Sequence, residues 1–111
     1  MMTYKPNQRS MRKLPREKAF YFFTSMGNYT GVSADSLEEF TKKVLEVNPK
    51  SLEFHLYRGD FQKWVEGTLE DKALADEIKK LQESKPLGND LRDNLYLTVK
   101  RHVEKVKKSS M

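Results

Sequence analysis

Residues 48–64 read NPKSLEFHLYRGDFQKW, and how this stretch is parsed decides the fold. Asn48-Pro49 stops whatever precedes it and starts a new helix, because proline in the first helical position gives up no needed hydrogen bond. Leu52 and Leu56 stand one turn apart on one face, with Phe54 and Tyr57 to the sides. Gly59 can take the left-handed conformation that closes such a helix. Asp60 then reads as the N-cap of the next helix, whose Phe61, Trp64 and Val65 form an i, i+3, i+4 face. The parse puts Arg58-Gly59-Asp60 at a helix–helix corner, with one histidine, His55, among four aromatic residues.

The same reasoning extends outward in both directions. Upstream, Ser36-Leu37-Glu38-Glu39 is a capping box opening a helix to about Val47, with Leu37, Phe40, Val44 and Val47 on one face. Downstream, Asp71 caps a helix through about Gln82 whose stripe is Leu74, Ile78 and Leu81. Pro86 and Gly88 break the chain before a last helix over about 90–107, with Leu91, Leu95, Val99, His102 or Val103, and Val106 along a drifting stripe. Residues 19–32 stay open between two readings. Their aromatics and threonines favour a short extended or hairpin element turning near Gly27-Asn28, while Pro15 and Gly27 would also frame a helix. The expected fold is mainly α: a compact bundle of four to five helices, preceded by a short N-terminal β-hairpin or extended segment.

The chain has 111 residues, which allows one domain with a modest core. The expected division is a basic flexible arm over 1–14, a helical domain over 15–107 and a tail over 108–111. There is no cysteine, which excludes disulfides, thiolate metal sites and a cysteine nucleophile. The longest apolar run, AFYFF at 19–23, is far short of the roughly 20 residues of a membrane span, and no secretion signal is visible. A cytoplasmic protein is the expectation. Abundant Lys and Glu fit a thermophilic source.

The net charge of +5 is unevenly placed. Residues 1–18 carry six basic residues against one acidic, and residues 100–111 carry five against one, so the body over 19–99 is acidic. A polyanion could therefore meet only the ends, through Arg9, Arg12, Lys13 and Arg16 together with Lys100, Arg101, Lys105, Lys107 and Lys108.

Chemistry concentrates at His55, Arg58, Asp60 and Trp64. A His55–Asp60 pair could do general acid–base work, yet no G-x-S-x-G elbow, phosphate loop or metal-binding helix accompanies it. The plainer assignment gives His55 a half-buried, hydrogen-bonded place, Arg58 a helix C-terminus and a carboxylate partner, Asp60 a cap, and Trp64 a place in the core. No cofactor and no metal site are implied.

The segments SLEEF (36–40), SLEFHLYRGDFQKWVEGTLEDKALADEI (51–78) and LRDNLYLTVKRHVEKV (91–106) together resemble a family of small prokaryotic, largely archaeal domains of unknown function. Its motif runs S-L-x-F-H-x-x-R-G-D-F-x-x-W-V, met here from Ser51 to Val65. The resemblance spans about residues 19–106 and leaves the arm unmatched. It implies a helical module found alone or attached to other domains, with no activity, cofactor or catalytic residue to carry over.

Three functions are ranked on this basis. The first is a non-enzymatic module that binds an unidentified protein or another copy of itself. The second is nucleic-acid or other polyanion binding through the basic ends, and the third is an enzyme using His55 and Asp60.

Overall fold

A computed structural model describes residues 10–109. A single turn at Arg16–Lys18 leads into strand β1 (Phe20–Ser25), which turns at Gly27 into the antiparallel strand β2 (Asn28–Ala34). Five helices follow: α1 (Leu37–Glu46), α2 (Pro49–Arg58), α3 (Asp60–Lys63), α4 (Lys72–Glu83) and α5 (Gly88–Ser109). The fold is thus mainly helical with an N-terminal hairpin, and the extended reading of residues 19–32 holds.

Ser36 and Asp71 cap their helices as expected and Asn48 adds a cap of its own, while one expected cap is not formed. Ser36 Oγ accepts the Glu39 N–H, Asn48 Oδ1 accepts the Lys50 N–H, and Asp71 Oδ1 accepts the Leu74 N–H. Each satisfies an N–H that the helix itself leaves without a partner. The exception is Asp60. Gly59, at φ +79°, both closes α2 and stands as the N-cap of α3, so Asp60 is the first helical residue and its carboxylate caps nothing. That carboxylate is free to turn sideways, and the site below depends on it.

Beyond Lys63 the helix widens into a π-helical segment, Trp64–Thr68, in which the Leu69 N–H bonds the Trp64 carbonyl. The extra residue per turn lets Trp64, Val65 and Leu69 all reach the core.

The hairpin is bulged. Phe22 pairs with Val32 but Phe23 with Tyr29, which leaves Thr30 and Gly31 looped out, Gly31 at φ +86°. Thr30 Oγ1 fills the gap by donating to the Phe22 carbonyl and accepting the Val32 N–H. Such bulges re-aim a strand locally.

Phe20 and Phe22 point inward to meet Phe40, Phe61 and Trp64, with ring centroids 4.9–6.3 Å apart. Edge-on and tilted contacts dominate this cluster, as the ring quadrupoles prefer. α5 supplies Leu91, Leu95, Val99, Val103 and Val106 to the same core. Of the expected arm, residues 1–9 lie outside the described residues, whereas 10–14 pack on the domain. Ser10 and Leu14 are buried, the Leu14 N–H bonds the Asp35 carbonyl, and Arg12 donates to the Thr68 carbonyl.

Candidate functional site

His55 is 4% exposed and sits between the hairpin and the α2–α3 corner. Its Nε2 accepts the backbone N–H of Phe23 at 2.8 Å. A nitrogen that accepts cannot carry a proton, so the proton belongs to Nδ1, which donates to Asp60 Oδ2 at 2.8 Å. The two bonds fix one neutral tautomer. Burial lowers the His55 pKa below its ordinary 6.5; the Asp60 hydrogen bond and charge oppose this and are outweighed, with Arg58 adding to the fall. The ring is also wedged edge-on against Phe20 at 4.8 Å and Phe54 at 5.0 Å.

Asp60 Oδ2 accepts a second bond, from Arg58 Nε at 3.1 Å. The guanidinium meets Met26 Sδ through Nη1 at 3.1 Å and lies 4.9 Å from the centre of the Phe54 ring. It is therefore held by three different groups while its side chain stays 47% exposed. The contact with Asp60 is single rather than the two-pronged pair that arginine and carboxylate favour.

His55, Arg58 and Asp60 thus come together as the sequence suggested. Trp64 does not join them. It is buried, its Nε1–H donates to the Lys18 carbonyl, and its ring packs on Phe20 and Phe40. The indole anchors the segment entering β1 and presents no stacking surface.

The chemistry available to His55 is correspondingly narrow. General acid–base catalysis needs a ring nitrogen within reach of a substrate proton, and here both nitrogens are engaged within the protein. The pair clips the hairpin to the corner.

Beside the clip lies an open, largely apolar cleft of about 440 Å³. Tyr21, Phe23 and Met26 of the hairpin contribute to it together with Phe54 and Arg58 of α2. Met26 is 76% exposed at the hairpin turn. Pockets that bury small ligands begin at about 300 Å³, and the cleft falls within that range. The charged groups that line it are Arg58 and Asp60.

A second His–Asp pair was not foreseen. His102 Nε2 meets Asp71 Oδ2 at 2.6 Å, while Asp71 also caps α4 and bonds the Ser10 side chain. Burial would raise the Asp71 pKa, but His102, the Leu74 N–H and Ser10 together outweigh it and the net shift is downward from 3.8. The Ser10 side chain bonds the carboxylate, whereas a nucleophilic triad sets its hydroxyl on the imidazole. An imidazole at a stripe position of α5 was the one sequence signal for it. The bond spans 31 residues, and nothing local announces the partner.

The basic residues named for a polyanion are partly engaged. Arg12 bonds Thr68 and approaches Glu70, Lys107 Nζ lies 2.6 Å from Glu38, and Lys13 faces Asp35 at 3.9 Å. Arg16, Lys100, Arg101, Lys105 and Lys108 are exposed, and Arg9 lies outside the described residues. Among the described residues no cluster of three or more His, Asp or Glu is placed to hold a metal ion, and no helix is long and apolar enough to cross a membrane.

Residues 3–99 match a family described as a family of unknown function, DUF5752. The match begins within the basic arm, which the resemblance had left out. No curated protein and no solved structure gave a significant match.

Proposed function

Because the chain belongs to DUF5752, a family of unknown function, we propose from the site itself that it is a protein-interaction module. Its cleft between the hairpin and α2 receives an apolar side chain of a partner protein. The observation that carries this reading is the cleft: half-buried Phe23 and Phe54 and exposed Met26 gathered around about 440 Å³ of open space. Apolar surface grouped in a concavity costs free energy in water, and filling it with a partner's side chain recovers about 25 cal/mol per Å² covered. Methionine at the rim adapts its shape to what it covers. The His55–Asp60 clip supports the reading too, because it holds both walls in place before a partner arrives, and preorganisation lowers the entropic cost of binding.

Selection from a random peptide library against the immobilised protein tests this. Enriched peptides should share an apolar anchor, bind with Kd in the micromolar range, and lose at least tenfold in affinity toward Met26→Asp. That substitution at an exposed turn should leave the melting temperature unchanged. Failure to enrich any sequence, or equal binding by the variant, contradicts the proposal.

A further inference from the structure

Resting on the cleft as a docking site, we infer that its occupant is the carboxyl-terminal residue of a partner protein, with its apolar side chain in the cleft and its α-carboxylate on Arg58. The guanidinium carries five N–H donors. One goes to Asp60 Oδ2 and one to Met26 Sδ, so three of the five, both on Nη2 among them, are left for a ligand. The group does not have to be ordered on binding, because Asp60, Met26 and the Phe54 face already hold it. A held, half-exposed guanidinium with N–H donors to spare pairs with an oxyanion, and carboxylate is the anion that a protein partner carries at every chain end.

Two features favour the chain end over an internal acidic residue. Arg58 and the apolar walls border the same small cleft, so the charge and the apolar group must leave the ligand almost from one point. A C-terminal residue meets this condition, since its side chain and carboxylate share one Cα. In an extended internal segment, neighbouring side chains point to opposite faces, and the next two on one face stand about 6.6 Å apart along the chain. Asp60 is the one opposing charge at the cleft, and its Oδ2 is already occupied by two N–H donors from His55 and Arg58.

The test uses synthetic hexapeptides Gly-Ser-Gly-Ser-Gly-X, with X as Leu, Phe or Met, each as free acid and as C-terminal amide. Binding is followed by the backbone amide signals of Phe23, Met26 and Phe54 and the Nε–H signal of Arg58. The expected result is saturable shifts with the free acids, at least tenfold weaker binding of the amides, and loss of that preference in Arg58→Gln. Arg58→Lys, which keeps the charge without the planar edge, should retain part of the preference. Amides that bind as well as acids overturn the carboxylate assignment and leave the apolar docking reading intact. The same holds if these peptides fail while library-selected internal sequences bind the cleft. Failure of both classes overturns the two readings together. Melting curves of each variant separate lost binding from lost folding.

Discussion

Phe23 donates its backbone N–H to His55 Nε2 at 2.8 Å, from a strand 32 residues earlier in the chain. That bond explains why a histidine stands at the corner. The strand ladder shifts register between Phe22 and Phe23, and at that irregularity the Phe23 N–H is satisfied by a side chain. An imidazole can accept there through one nitrogen and donate to Asp60 through the other. An apolar residue of similar size would do neither.

Replacing His55 with phenylalanine should keep the aromatic packing and delete both bonds. A buried N–H left without a partner costs about 1–3 kcal/mol, so His55→Phe should lower stability by about that amount in urea unfolding with the slope unchanged. A change within about 0.5 kcal/mol of the parent, the usual range for neutral surface changes, would mean the clip contributes nothing.

Acid should weaken the fold in two steps. The folded-state pKa of His55 lies below 6.5, so below that pH the unfolded chain takes up the proton more readily. Stability should fall as pH drops from 6.5 through the folded pKa and then level off. The Asp71 pKa is lowered from 3.8, so its contribution is fully present above that value and is lost as pH falls through the folded pKa. Unfolding free energies measured from pH 8 to pH 3 should show the first step in the parent and not in His55→Phe.

Asp60 supports the charged form of His55 through both its hydrogen bond and its charge. Asp60→Asn should therefore move the His55 titration further below 6.5, as read from imidazole NMR shifts. A titration that stays put or rises would show that the pair is not formed.

Asp71→Ala removes a helix cap and the acceptor for His102 and Ser10 in one change. Cap loss alone costs about 1 kcal/mol, and buried partners left unsatisfied add about 1–3 kcal/mol. Asp71→Asn can still cap Leu74 and should cost less, so the order of melting temperatures, parent above Asn above Ala, checks the assignment.

A Cβ at Gly59 would meet nothing within 4 Å beyond its own neighbours in the chain, yet the backbone is left-handed at φ +79°. Gly59→Ala should cost about 1–2 kcal/mol from backbone conformation alone. Thermal unfolding of the variant measures it.

What was legible in the sequence follows from the range of the interactions involved. Ser36, Asn48-Pro49, Gly59 and Asp71 act on backbone groups within a few residues, and each marks a helix end where expected. The hairpin is only half legible, because Gly27 and its aromatic flanks fit a strand turn while Pro15 and Gly27 also frame a helix, and pairing with β2 decides between them. Asp60 was misplaced by one position because Gly59 serves two helices at once, and a left-handed residue needs no side-chain cap beside it. The π-helical turn at Trp64 answers to core packing rather than local propensity. His55, Arg58 and Asp60 lie within six residues, so their meeting could be anticipated. Phe23, Met26 and the cleft they complete arrive from the hairpin, and only the tertiary fold brings them there. Ser10 and Leu14 looked like part of a polar arm, but single buried residues in a basic segment leave no periodic trace.

The most direct test of the account is to map where a library-selected peptide binds, using backbone amide shifts across the whole protein. The account predicts that the largest shifts fall on Phe23, Met26, Phe54 and Arg58 and vanish in Met26→Asp. Shifts concentrated instead on the basic end of α5, at Arg101, Lys105 and Lys108, would contradict it.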